Sequence, residues 1–142
     1  MKSREKAAVF SDDERAAMKE YIVEKRRGPR KSADGESDLM EKIAAMPQPD
    51  RGMAEKIHAI IQVTAPELSP RTWYGMPAWA KDGNVVCFFQ SGQKFKTRYA
   101  TLGFSDQAKL DDGRMWPSAY AVTDLGPAEE KRIAALVKKA IG

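Results

Sequence analysis

The sequence predicts an α+β fold: two helices, about four antiparallel strands, and a closing helix packed against the sheet. Three observations carry this. Apolar residues at helical spacing run through residues 37–65, strand-length apolar runs punctuated by glycine turns fill residues 73–123, and a strongly amphipathic segment ends the chain. A further charged helix precedes this body.

Asp12, Asp13 and Glu14 follow Ser11 as a helix start, with Ser11 and Glu14 in capping-box spacing. The helix should run to about Arg27, because Gly28-Pro29 cannot continue it. Its apolar side (Ala16, Ala17, Met18, Tyr21, Ile22) is thin, so weak docking is expected. Residues 28–36 combine Gly, Pro, Ser and charge and read as a flexible linker. The expected division is therefore 1–36, charged helix and linker, and 37–142, a compact domain.

Leu39, Met40, Ile43 and Met46 define the first helix of that domain, which Pro47 ends. Asp50 is placed as the cap of the next, whose stripe is Met53, Ile57, Ile60, Ile61 and Thr64. Trp73–Trp79 is aromatic and broken by Gly75 and Pro77. Asp82-Gly83 is a hairpin signal, and Val85–Phe89 is a continuous apolar run suited to a central strand. Phe95–Phe104 reads as one long strand, Asp111–Gly113 as a turn, and Ala119–Thr123 as a last short strand. Gly126-Pro127 opens the final helix, with Glu129 and Glu130 in its first turn, Lys138 and Lys139 in its last, and Ile133, Leu136, Val137, Ala140 and Ile141 on its apolar face.

Composition narrows the chemistry. At 142 residues the chain can bury about two-thirds of its unfolded surface without staples. One cysteine and one histidine exclude an intramolecular disulfide and a Cys/His zinc site. No apolar run reaches the roughly 18–20 residues of a membrane span, and no signal-like run follows Met1, so a soluble, cytoplasmic protein without membrane contact is expected. With 24 basic and 20 acidic residues the net charge is +4, an ordinary mixed surface. The one basic cluster, Lys25, Arg26, Arg27, Arg30 and Lys31, would support at most a weak nucleic-acid contact.

Nothing in the sequence assembles a catalytic set. His58, the only imidazole, shares a helical face with Glu55 and Gln62 opposite the apolar stripe and reads as an exposed residue beside a carboxylate. Cys87 lies among Val and Phe and reads as inert core. Phosphate-loop, dinucleotide, zinc-protease and serine-elbow motifs are absent. A non-enzymatic protein with no resident cofactor is expected. The aromatic-basic set is the stronger lead: Trp73, Tyr74, Trp79 and Trp116, with Lys96 and Arg98 read as alternating along a strand with Lys94. Rings interleaved with cations can stack on and neutralise a planar or anionic ligand, so these six are the candidate ligand-binding residues.

Three stretches, Thr72–Trp79, Gly83–Phe89 and Tyr99–Phe104, resemble the YdhG-like family, a domain of unknown function: a Tyr-Gly-x-Pro element before a strand, a Val-Cys-Phe strand, and a Leu-Gly-Phe strand followed by an acidic turn. The resemblance spans about 37–142. It implies a frataxin-like two-layer sandwich, with helices on one face of a four- to five-stranded, mainly antiparallel sheet. A bacterial member is described as an iron chaperone supplying Fe–S or haem assembly, which would cast Glu36, Asp38 and Glu41 as oxygen ligands for iron. A net charge of +4 does not favour collecting cations. The leading expectation is a binding module for an unidentified small molecule or protein.

Overall fold

The computed structural model describes residues 12–27 and 32–142. Five helices and five strands are present among them: α1 (Asp12–Arg27), α2 (Ser32–Ala44), α3 (Asp50–Thr64), β1 (Ser69–Trp73), β2 (Met76–Lys81), β3 (Asn84–Gln90), the single-turn α4 (Gly92–Phe95), β4 (Ala100–Phe104), β5 (Ala119–Val122) and α5 (Pro127–Ala140). The architecture is α+β. The strands form one open antiparallel sheet in sequence order, β1-β2-β3-β4-β5.

Two tight turns set the register of the first three strands. Asp82-Gly83 turns with both residues at positive φ (52° and 82°), the backbone of a two-residue hairpin matched to sheet twist. Tyr74-Gly75 does the same, at 52° and 76°. The aromatic segment 73–79 is thus the end of one strand, a turn and the next strand, and β1 went unread because Pro70 and a charged residue interrupt it. As the edge strand of the sheet, β1 tolerates that proline.

Register then decides which side chains meet. Trp79 pairs with Cys87 and Cys87 with Phe104, while Phe89 pairs with Leu102 and Leu102 with Tyr120. These residues join one buried cluster with Leu39 and Ile43 of α2, Met53, Ile57 and Ile61 of α3, and Ile133, Val137 and Ala140 of α5. Each fully buried Leu or Ile in such a cluster contributes about 1.5–3 kcal/mol of transfer free energy. At the intervening position of the same register Phe88 pairs with Gly103, and its ring occupies the space a Cβ on Gly103 would need. Trp73 lies beside it, centroids 5.2 Å apart.

Three sequence expectations are corrected here. First, α2 begins at Ser32, five residues before Ser37, so residues 32–36 are helix rather than linker. Gly35 explains the advance: it is buried against β1, where a Cβ would overlap the Pro70 carbonyl. Second, residues 95–104 do not form one strand. Ser91 caps α4 by accepting from the Lys94 amide at 3.2 Å, and Lys96 turns left-handed (φ 57°) before β4 starts at Ala100. Third, α3 is entered from Pro49, and Asp50 does not cap it but is turned inward. The Ser11 half of the expected capping box lies outside the described residues, as do the side chains of the basic cluster from Arg26 to Lys31.

Candidate functional site

The six aromatic and basic residues expected to converge occupy separate places. Trp79 is wholly buried, its indole Nε1 donating to His58 Nδ1 at 3.1 Å. Trp116 is half-buried against the core. Trp73 ends β1, Tyr74 opens the turn after it, and their rings meet edge-on, centroids 4.9 Å apart. Lys96 and Arg98 stand in the loop between α4 and β4, exposed, and do not alternate along a strand. The expected strand-borne aromatic-basic face is therefore not formed: the pleat turns Trp79 inward, and the α4 turn puts the two cations in a loop instead of on a strand.

His58 corrects the reading of an exposed imidazole. It is 5 % exposed, because α3 turns it towards β2. An indole can only donate, so Nδ1 is the acceptor and Nε2 carries the proton, directed at Glu36 Oε2 3.0 Å away. Gln62 Nε2 donates to the same Glu36 oxygen at 2.6 Å. This chain of Trp79, His58, Glu36 and Gln62 ties β2, α3 and α2 together.

That chain also separates the proposed iron ligands. Glu36 is committed to α3, whereas Asp38 and Glu41 line a hollow between α1 and α2. A helix turns about 100° per residue, so positions 38 and 41 share a face that 36 does not. Among the described residues no group of three or more His, Cys, Asp or Glu is arranged to hold a metal ion. The donor set does not fit iron.

Lys96 and Arg98 do meet in one place. They line an open cavity of about 350 Å³ with Asp50, Met53, Gln93 and Tyr99. Asp50, 4 % exposed, accepts from Ser91 Oγ at 2.6 Å and from the Gln93 amide at 3.0 Å, fixing α4 to the start of α3. A buried carboxylate is stable only when so partnered, and here its partners belong to the segment presenting the cations. Arg98 packs over the Tyr99 ring at 5.4 Å, and the Thr97 hydroxyl donates to the Tyr99 carbonyl at 2.8 Å.

No protein-family model, curated protein or solved structure matches this chain.

A second polar centre holds α1 to the body. Glu24 accepts from the successive amides of Tyr74 (3.0 Å) and Gly75 (3.2 Å), one through each oxygen. Glu20 pairs with Lys42 and, at 3.2 Å, with Lys94. Burial pushes the Glu20 carboxyl up, but the hydrogen bond from Lys42 and the charges of Lys94 and Lys42 outweigh it, leaving the group below its ordinary range. Tyr21 stacks on Tyr74, centroids 4.0 Å apart and planes within 7°. The helix expected to dock weakly through a thin apolar side docks instead through carboxylates. The Glu20/Tyr21/Glu24 spacing, one helical face, was the available signal.

Cys87 is fully buried, and burial pushes its thiol up to about 12, as an inert core cysteine requires. No helix among the described residues is long and apolar enough to cross a membrane.

Proposed function

We propose that this chain is a non-enzymatic binding module of the YdhG-like kind, with a frataxin-like two-layer arrangement, and that it takes a small anionic ligand in the cavity beside α4. The affiliation is supported by where the three resembling stretches fall: the β1–β2 turn with β2, then β3, then β4, three adjacent strands of one sheet. The shared cluster of α2, α3, α5 and the sheet supports the layered arrangement.

The ligand reading rests on one observation. Asp50 anchors the segment that brings Lys96 and Arg98 to the rim of one cavity, its Oδ2 accepting from both Ser91 and Gln93. The cavity thus presents two exposed cations and the Tyr99 ring, while one oxygen of the Asp50 carboxylate holds the wall. Lys96, 83 % exposed at its side chain, makes a long contact to Asp13, at 4.0 Å. The non-enzymatic reading is supported by the way His58, Asp50 and Ser91 spend their polar atoms on neighbours within the fold. Iron as cargo finds no fitting ligand set among the described residues, because Glu36 lies on a different face from Asp38 and Glu41.

Calorimetric titration of the full chain with inorganic phosphate and with a small aromatic carboxylate tests the reading. An exposed cation at contact distance contributes about 1 kcal/mol, so the K96A/R98A variant should bind roughly tenfold more weakly or worse. Binding should also fall with added salt. Heats indistinguishable from dilution for both anions, or equal affinity in the double variant, would remove the proposal.

A further inference from the structure

The contacts of α1 divide cleanly between a receptor on the body and a ligand on the helix. We infer that the surface formed by the Tyr74–Gly75 amides, the Tyr74 ring, Lys42 and Lys94 is a receptor for an acidic helix, and that a second copy of this chain fills it with its own α1 when helices exchange between protomers.

The receptor belongs to the body alone. Tyr74 and Gly75 adopt successive positive φ values, which point adjacent amides to one side as an anion-holding nest. Their geometry is set by the pairing of Trp73 with Met76, not by α1. Lys42 comes from α2 and Lys94 from α4. Gly75 leaves room for the incoming acid: a Cβ there would overlap the Glu20 carboxylate.

The ligand belongs to α1 alone, and it is the polar side of the helix that is bound. Asp13, Ala17, Glu20, Tyr21 and Glu24 form the inward stripe, of which only Ala17 is fully buried. Met18, Ile22 and Val23 are 45–51 % exposed. A helix normally docks by its apolar stripe, which supplies most of its packing energy. Here the carboxylates of Glu20 and Glu24, a longer Asp13–Lys96 contact at 4.0 Å, the stacked Tyr21 ring and Ala17 are among the groups that hold it, so the docked side is polar and gives little apolar burial.

The complementarity is to this particular helix, which every copy carries. Four residues, Gly28 to Lys31, separate α1 from α2, and a second copy's α1 would make the same contacts. A short connection of this kind gives the cis helix an effective concentration of about a millimolar. Exchange therefore becomes visible once the cis helix is weakened, and swapping identical elements is an inexpensive route to a dimer.

The test uses full-length chains. A fluorescein-labelled peptide of α1 (Asp12–Arg27) is titrated with the E20Q/E24Q chain, whose own helix is disabled and whose receptor is intact. It should bind that chain about tenfold more tightly than wild type, where the cis helix competes, and a peptide carrying E20Q/E24Q should bind neither. In sedimentation velocity, the E20Q/E24Q chain mixed with a K42E/K94E chain should give a 1:1 heterodimer while each alone stays monomeric. A wild-type peptide that ignores the folded E20Q/E24Q chain overturns the receptor. Peptide binding without the heterodimer overturns the second-copy assignment in favour of another protein's acidic helix. If circular dichroism finds E20Q/E24Q unfolded, A17R lifts the helix by bulk, leaves the receptor untouched, and replaces it in both measurements.

Discussion

The indole of Trp79 donates to Nδ1 of His58 at 3.1 Å inside the core, and this bond fixes the imidazole as the Nε2-protonated tautomer facing Glu36. Nitrogen-15 spectra of the histidine should show that tautomer. Trp79→Phe leaves Nδ1 buried without its donor, which costs about 1–3 kcal/mol before any cavity penalty. Urea unfolding of W79F should fall by at least that amount. A near-neutral W79F, or a Nδ1-protonated ring in the wild type, contradicts the bond.

Gly75 is the second sharp position. Its φ of 76° belongs to the left-handed region, where a side chain costs about 1–2 kcal/mol, and a Cβ would also strike Glu20. Gly75→Ala should therefore lower stability and release α1. Hydrogen exchange reads the second effect: the Tyr74 and Gly75 amides, held by Glu24, should exchange markedly faster than in wild type, while amides of β3 do not. Unchanged protection at Tyr74 would show that α1 is not what shields it.

These two positions also show what sequence pattern can and cannot reveal. The apolar periodicities of Leu39–Met46, Met53–Ile61 and Ile133–Ala140 located three helices, because helices buried on one face leave a one-dimensional imprint. The Asp82-Gly83 turn and the Val85–Phe89 strand were legible for the same local reason. What failed was whatever depended on distant partners. Ser32–Glu36 looked like linker because the reason for its order, Gly35 against Pro70, lies across the fold. Asp50 matched a helix cap locally, yet its partners are Ser91 and Gln93, some forty positions on. Trp79 and Lys96 looked like neighbours on one face until the pleat and the α4 turn separated them.

Docking of α1 should be pH-dependent through Glu20. Its folded carboxyl lies below the ordinary value of 4.5, so the stabilisation is complete above about that pH and is lost as pH falls through the lower folded value. The ring-current shifts that the stacked Tyr21 and Tyr74 impose on each other report the docked state. They should hold from neutral pH down to about the ordinary value of 4.5 and be lost at lower pH, earlier in high salt because the Lys42 and Lys94 pairs are partly exposed. Shifts that are flat down to the acid unfolding of the sheet would show that Glu20 does not hold the helix.

Cys87 should be silent in the native state. Its thiol is buried and pushed up to about 12, so at pH 8 almost no thiolate forms and no reagent reaches it. An aromatic disulfide reagent should label one thiol per chain in denaturant and essentially none in buffer within the same time. Rapid native labelling would mean that the β2–β3–β4 centre opens far more readily than its packing implies.

Asp50 joins stability to the proposed binding cavity. Removing its carboxylate strands the Ser91 hydroxyl and the Gln93 amide, at about 1–3 kcal/mol, whereas Asn keeps one acceptor oxygen and should cost less. Because those two partners begin the α4 segment, Asp50→Ala should also loosen the loop that presents Lys96 and Arg98. The two effects are separable. Asp50→Asn should retain most stability while weakening anion binding less than K96A/R98A does, and Asp50→Ala should lose binding although both cations remain. Anion affinity that survives Asp50→Ala undiminished would mean that the cations act alone at the surface and that the buried carboxylate organises nothing for the ligand.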